Sequence, residues 1–179
     1  MRGTNRAAKT AIAKAAVKLI QPKQVIILDG GTSTQELVKH LPLELELTVV
    51  THSPTIAVAL MEHRNIEVIM LGGKLFKHSM VNVGAAAMEA ISHIRADLYF
   101  MGVNGIDKTK GLTIRNYEES ILKQQMMAAA KSTICCVVEE KIDVVEAYQI
   151  CPIENINTLI TNIEPDSISL IGYERVERV

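Results

Sequence analysis

Short apolar runs recur along this chain, with segments of helical periodicity between them. Val25–Leu28, Leu47–Thr51, Glu67–Leu71 and Asp97–Met101 are runs of this kind. Apolar strands that alternate with helices are typical of repeated βαβ units, in which buried parallel strands lie between two helical layers. The sequence therefore predicts an α/β fold built on a mostly parallel sheet of about six or seven strands, with helices on both faces.

The same periodicity predicts where the remaining elements lie. Helices are expected over residues 6–20, 33–40, 54–61, 85–93 and 118–131, further strands over 133–138 and 158–161, and a last short helix ending at Gly172 before a closing strand over 173–179. No internal repeat or linker-like stretch interrupts this order. At 179 residues, the chain has the length of one ordinary domain.

Composition excludes several classes of protein. No run of about 18 apolar residues suits a membrane span, and the N-terminus is not followed by an apolar signal core. Aromatic residues make up only 3% of the chain, which is poor material for stacking single-stranded bases. Cys135, Cys136 and Cys151 lack metal-binding spacing and indicate reduced, buried thiols of a cytosolic protein. We expect no metal and no cofactor.

Charge is distributed unevenly along the chain. Residues 1–23 carry six basic residues and no acidic one. The remaining residues hold 13 of the 19 bases and all 20 acids, a net charge of −7, which does not suit a free-standing DNA-binding protein. We interpret residues 1–22 as a solvated basic helix; a transit peptide is the alternative.

Polar or glycine-bearing loops follow four of the predicted strands. These loops are Asp29–Thr34, Thr51–Ser53, Gly72–Lys74 and Gly102–Asp107. Ligands of open parallel sheets bind beyond the carboxyl ends of the strands, and a glycine-flanked helix N-terminus favours an anion. The alternative for the first loop is simple helix capping by Thr32 or Ser33. Neither nucleotide-binding glycine motif is present.

An ordered set of short motifs resembles one known family. The set comprises Ala8–Ala16, Ile27–Thr34, Val49–Thr51, Leu71–Gly73, Val83–Gly84, Ala96–Asp97, Phe100–Gly102, Gly105–Asp107, Gly111–Thr113, Glu119 and Lys123. In this order, over about residues 6–179, it resembles the effector-sensing domain of DeoR-family transcriptional regulators. The resemblance implies a Rossmann-like fold related to ribose-5-phosphate isomerase. It further implies that residues 1–22 are a basic linker helix that leads into a phosphosugar-sensing domain over 23–179. It also implies a cytoplasmic sensor of a phosphorylated sugar, a homodimer or homotetramer, which meets DNA only through an N-terminal winged helix-turn-helix absent from these residues.

The strand-end loops and the resemblance together give an expected effector site. Its residues are Asp29, Gly30, Gly31, Thr32, Ser33, Thr34, Thr51, His52, Gly72, Gly73, Asn104, Gly105, Asp107, Glu119, Lys123 and Lys141. Amides and hydroxyls near Gly30–Thr34 suit a phosphate, carboxylates and amides suit sugar hydroxyls, and Lys123 or Lys141 supplies a counter-charge. Two departures stand out. His52 replaces the family's usual asparagine, and Glu139–Ile142 replaces its usual Asp-x-Ser-Lys-Phe stretch.

Two functions of different classes fit these residues. The first is a ligand-binding regulatory domain, and the second is a sugar-phosphate isomerase on the same fold. An isomerase needs a carboxylate base and groups that stabilise an enediolate. The isomerases that the family resembles carry several acids after the fourth strand, whereas Asn104 cannot ionise here and Asp107 alone supplies a charge. Glu118 or Glu119 could stand in the place of the base, so we favour binding over catalysis. A CoA transferase ranks below both.

Overall fold

A seven-stranded parallel sheet forms the centre of the computed structural model, which describes residues 2–163 and 176–178, with side chains over 5–163. Its strands are β1 (Val25–Leu28), β2 (Leu47–Thr51), β3 (Ile66–Met70), β6 (Ala96–Met101), β9 (Ala130–Val137), β11 (Thr158–Thr161) and β12 (Val176–Arg178). The strand order is β12-β11-β9-β6-β1-β2-β3, and every neighbouring pair is parallel. The predicted α/β fold is confirmed.

Helices cover both faces of this sheet. They are α1 (Arg2–Val17), α2 (Thr32–His40) and α3 (Pro54–Ala59) on one face, and α4 (Ala85–Ile91) and α5 (Tyr117–Ala129) on the other. Successive strand side chains point to opposite faces, so Cys135 packs with the α5 side and Cys136 with the α1 side. The three cysteines are buried, and none is in a disulfide.

Two small antiparallel sheets lie outside the central one. The first is a hairpin of β4 (Lys74–Phe76) and β5 (Val81–Val83), and the second joins β7 (Gly105–Asp107), β8 (Gly111–Ile114) and β10 (Tyr148–Cys151). The sequence predicts none of these strands, because each has only three or four residues and such runs carry little periodic signal. The hairpin is held to the main sheet by the Asn82 amide, which donates to the His52 carbonyl at 2.7 Å.

Most predicted elements agree with the structure to within a few residues. The predicted helix over 54–61 ends at Ala59 and continues as a single 3-10 turn, Leu60–Glu62, and further 3-10 turns lie at Glu139–Lys141 and Ile153–Asn155. The predicted helix ending at Gly172 lies outside the described residues. Of the predicted closing strand, the structure describes Val176–Arg178, which pairs with β11. In the described part of the chain, no helix is long and apolar enough to span a membrane.

Candidate functional site

A cavity of about 310 Å³ opens at the carboxyl ends of the central strands. Its walls come from α1, from the loop and helix start at Gly30–Gln35, from the tip of the β4–β5 hairpin, and from the loop after β6. Of the expected site residues, those that line it are Gly30, Gly31, Thr32, Ser33, Thr34, His52, Asn104, Glu119, Lys123 and Lys141. Parallel strands bring these separate segments to one edge, as the sheet topology requires.

The N-terminus of α2 forms one wall of the cavity. Its N-cap is Gly31 at φ 112°, a backbone conformation that glycine adopts without strain. Glycine has no side chain to accept from the first helical amides, so the alternative interpretation, in which Thr32 or Ser33 caps this helix, is wrong. The Thr34 hydroxyl donates to the Gly31 carbonyl at 3.1 Å instead. The positive end of the helix dipole and the first amides of α2 therefore adjoin the cavity.

Asp29 lies beneath the cavity and does not line it. The carboxylate, at the end of β1, is completely buried. Its Oδ2 accepts hydrogen bonds from the Tyr99 hydroxyl at 3.0 Å, from the Gly102 amide at 2.9 Å and from the Lys123 ammonium. Burial and the Asp29 charge raise the pKa of Tyr99, so that hydroxyl stays a donor. Asp29 thus positions the loop after β6 and the α5 lysine that faces the cavity.

His52 also lies against this buried carboxylate. Its Nε2 is 3.6 Å from Asp29 Oδ1, and the ring is 1% exposed. The pKa of His52 is lowered to about 4, chiefly by burial; the Asp29 charge opposes this shift and the Lys123 charge adds to it. The imidazole is therefore neutral near pH 7. Both Asp29 Oδ1 and His52 Nδ1 are buried without a hydrogen-bond partner.

Lys141 brings a second positive charge to the cavity. Its Nζ donates to the Val103 carbonyl at 2.9 Å. Burial lowers the pKa of Lys141, and the nearby charges of Lys9, Lys123 and Arg115 lower it further. Several cations therefore converge on this end of the cavity. Such convergence suits an anionic ligand.

Glu119 and the hairpin tip form a further part of the cavity wall. The Ser79 hydroxyl donates to Glu119 Oε2 at 3.1 Å, and Asn116 caps α5 through a hydrogen bond from the Glu119 amide. Burial raises the pKa of the Glu119 carboxyl, and the Asp29 charge adds to the rise, while Lys123 and Ser79 oppose it. Of the lining residues, Glu119 is the one with a carboxylate.

Besides Asp29, five expected site residues lie outside the cavity lining. The Thr51 hydroxyl is buried and accepts from the Ser53 amide at 3.1 Å. A Cβ at Gly73 would lie 2.6 Å from the Val83 carbonyl, and one at Gly105 only 2.3 Å from that of Val144. Gly72 is exposed and absent from the lining. The Asp107 carboxylate accepts from the Lys110 and Thr109 amides, which lower its pKa, so it closes a turn.

Sequence reasoning missed two walls of the cavity. The α1 side contributes Ile12, Ala13 and Ala16, and the hairpin tip contributes His78, Ser79, Met80 and Val81. The helical spacing of α1 predicts that one face of the helix is buried. The spacing does not show whether that face packs in the core or lines a cavity. Further lining residues are Gln35, Leu37, Ser53, Thr55, Phe100, Met101, Gly102, Val103, Ile114 and Cys136. The described residues include no cluster of His, Cys, Asp or Glu suited to a metal ion.

The chain matches a known family over most of its length. Residues 4–163 match the model of the DeoR C-terminal sensor domain. The chain belongs to this family, and the resemblance noted from its motifs is confirmed.

Named relatives agree with that membership. The chain is 34% identical over 154 residues to the HTH-type transcriptional regulator GolR of Listeria innocua, covering 86% of this chain and 61% of the relative. It is 33% identical over 158 residues to the HTH-type transcriptional repressor GlcR of Bacillus subtilis, covering 88% and 60%. The chain thus spans about three fifths of the length of the curated relatives it matches.

Solved structures show the same fold at low sequence identity. The ribose 5-phosphate isomerase A of Methanocaldococcus jannaschii superposes with a TM-score of 0.56 at 19% identity, covering 76% of this chain and 54% of that one. The eIF2B beta subunit of Chaetomium thermophilum superposes with a TM-score of 0.59 at 13% identity, covering 86% and 48%. These similarities establish the fold of this chain and give no information about its chemistry.

Proposed function

We propose that this chain is the sensor domain of a transcriptional regulator and that it binds a phosphorylated sugar in the cavity. The single observation that carries the proposal is the uncapped N-terminus of α2, which meets the converging lysines at the strand ends. A volume of about 310 Å³ lies at the lower end of the range for small-molecule sites.

The phosphate half of the ligand fits the α2 end of the cavity. Backbone N–H groups of a helix start, together with the dipole, stabilise an anion. Thr32 and Ser33 add hydroxyl donors, and Lys141 adds a charge. Because Lys123 is already paired with Asp29, its charge is largely compensated, so Lys141 is the main side-chain counter-charge.

The sugar half fits the polar groups at the hairpin and β6 side. Glu119 and Asn104 carry oxygens that accept from hydroxyls, and the Asn104 amide nitrogen donates. The Asn104 Oδ1 already accepts from the Arg115 amide at 3.0 Å, which fixes its orientation. Carboxylate and amide groups of this kind select hydroxyl positions on a sugar, because an unmatched buried polar group costs about 1–3 kcal/mol.

Regulation of transcription is supported by the named relatives, which are regulators and repressors. We propose that DNA is bound by a segment N-terminal to this domain, since residues 24–179 carry a net charge of −7. We also propose that the protein is a homodimer or homotetramer, because regulators that bind symmetric operators assemble symmetrically. We propose that it acts in the cytoplasm. Buried thiols support a reducing compartment.

Calorimetric titration tests the ligand. The 179-residue chain is titrated with a panel of pentose and hexose phosphates, the matching free sugars and inorganic phosphate. We expect at least one sugar phosphate to bind, and Ser33→Ala and Lys141→Met to weaken it by roughly tenfold each. Lys18→Met is the matched control, because Lys18 is exposed and outside the cavity lining. Sugar phosphates that bind no better than free sugars would contradict the proposal.

Isomerase activity is the second candidate, and Glu119 is the observation that favours testing it. A buried carboxyl with a raised pKa suits acid–base chemistry. Against it, Asn104 replaces an acid and Asp107 closes a turn outside the cavity. We expect no aldose–ketose conversion of any sugar phosphate that binds. Turnover that Glu119→Gln abolishes would show an enzyme.

A further inference from the structure

Helix α1 contacts the cavity along one stripe of its surface. Lys9, Ile12, Ala13 and Ala16 are spaced three or four residues apart and so share one side of the helix. Ile12, Ala13 and Ala16 line the cavity. The Lys9 Nζ donates to the Thr32 hydroxyl oxygen at 2.8 Å, at the N-terminus of α2.

Lys9 is placed to meet an anion at that position. It is half-buried, and its hydrogen-bond acceptor there is a neutral hydroxyl. No salt bridge among the described side chains involves Lys9. It is close enough to Lys141 for the two charges to repel, which contributes to the lowered pKa of Lys141. A phosphate beside Thr32 would attract both ammonium groups and so offset the repulsion between them.

Helix α1 packs on the rest of the domain mainly through small side chains. Its buried side chains are mostly alanines, namely Ala8, Ala13, Ala15 and Ala16, with Ile12 the one large side chain among its buried residues whose side chains are described. Each alanine buries little apolar area, so each contributes little free energy. Besides the Lys9 contact, a polar link to α2 comes from the Thr10 hydroxyl, which donates to Glu36 at 3.1 Å. A ligand contact at Lys9 therefore adds to an interface that is built mainly of small side chains.

We propose that Lys9 binds the ligand phosphate directly, and that occupancy of the cavity thereby stabilises the docking of α1. The inference rests on the proposed function, because it uses the same cavity and the same anion. A hydrogen bond from the Lys9 ammonium to phosphate includes an attraction between opposite charges that its present bond to the neutral Thr32 hydroxyl lacks. Linkage is reciprocal: a ligand that binds more tightly when α1 is docked must favour the docked state by the same factor.

Hydrogen exchange of the α1 amides, residues 6–17, tests the inference in the 179-residue chain. The probe is inorganic phosphate, compared with chloride at equal ionic strength, followed by the sugar-phosphate panel. We expect phosphate to slow exchange in α1 of the unmodified chain. Lys9→Met should bind phosphate roughly tenfold more weakly and lose this slowing. Lys14→Met is the matched control, because Lys14 lies on the same helix and is exposed, and it should behave like the unmodified chain.

The outcomes separate the two proposals. Slowed α1 exchange with phosphate, but no preference for any sugar phosphate, would support the role of Lys9 and overturn the phosphosugar function. Tight sugar-phosphate binding, with unchanged α1 exchange and unchanged affinity in Lys9→Met, would overturn the role of Lys9 and leave the function standing. Absence of any binding, with no change in α1, would overturn both. If Lys9→Met proves unstable, Lys9→Arg serves as the second variant and should retain both effects.

Discussion

The Lys123 ammonium on α5 donates to Asp29 Oδ2 at the end of β1, and both side chains are almost completely buried. This pair joins residues 94 positions apart in the chain. It also sets the charge at the floor of the cavity, since each ion compensates the other. Burying such a pair removes water from both ions, which costs free energy. The attraction between the two charges offsets this cost only while both partners are present.

Removing one ion should therefore destabilise the fold more than removing both. We expect Asp29→Asn and Lys123→Met to lower the free energy of unfolding by about 3–5 kcal/mol each, because each leaves an uncompensated buried group. The double variant should lose clearly less than the sum of the two. Urea denaturation of the four proteins measures this, and strict additivity would contradict a direct interaction.

Stability should decline in acid because of His52. Its pKa is about 4 in the folded chain and 6.5 when unperturbed. Between these values the unfolded chain binds a proton that the folded chain does not, so this contribution is complete above pH 6.5 and is lost as the pH falls toward 4. His52→Gln should flatten that part of the urea-derived stability profile. The exposed His93→Gln should leave it unchanged.

Glu119→Gln should stabilise the domain above neutral pH. Burial raises the pKa of this carboxyl, which means that its charged form is disfavoured in the fold. Glutamine keeps an oxygen to accept from Ser79 and has no charge to desolvate, so we expect a gain of about 1 kcal/mol. Thermal unfolding at pH 8 measures the gain. A loss instead would show that the attraction of Lys123 outweighs the burial cost.

Gly30 is expected to tolerate no side chain. A Cβ there would lie 2.5 Å from Val81 Cγ1 on the β4–β5 hairpin. Gly30→Ala should cost about 1–3 kcal/mol of stability from overpacking. Val81→Ala in the same chain should recover part of that loss, because it removes the methyl group concerned. Failure of the second substitution to rescue the first would show that the loop after β1 and the hairpin do not press on each other.

The sequence predicts the central sheet well because its strands are apolar runs bounded by glycine or proline. Val25–Leu28, between Pro22 and Gly30, and Leu47–Thr51, between Pro42 and Pro54, are clear cases. The small sheets are different, because Gly105–Asp107 and Gly111–Ile114 become strands only through pairing with each other and with Tyr148–Cys151. Runs of three or four residues carry little periodic signal of their own.

The site was only half predictable for a related reason. Glycine and hydroxyl residues after β1 mark the anion end, and the order of motifs marks Glu119 and Lys123. No local pattern indicates that Lys9 reaches Thr32, or that Ser79 reaches Glu119, because these contacts join segments 23 and 40 positions apart. Conversely, Asp107 is predicted from the sequence to bind the ligand, but its carboxylate accepts hydrogen bonds from two amides of its own turn.

The hairpin tip between β4 and β5 and the end of α2 belong to different kinds of structure, although they face the same cavity. The α2 end is fixed by the parallel sheet, whereas the tip, residues 77–80, is an exposed turn attached through short strands. Length or composition can change at the tip without disturbing the sheet. Under the proposed function, selectivity for the sugar and affinity for the phosphate would therefore reside in separate segments, and altering one short surface turn would change the preferred sugar.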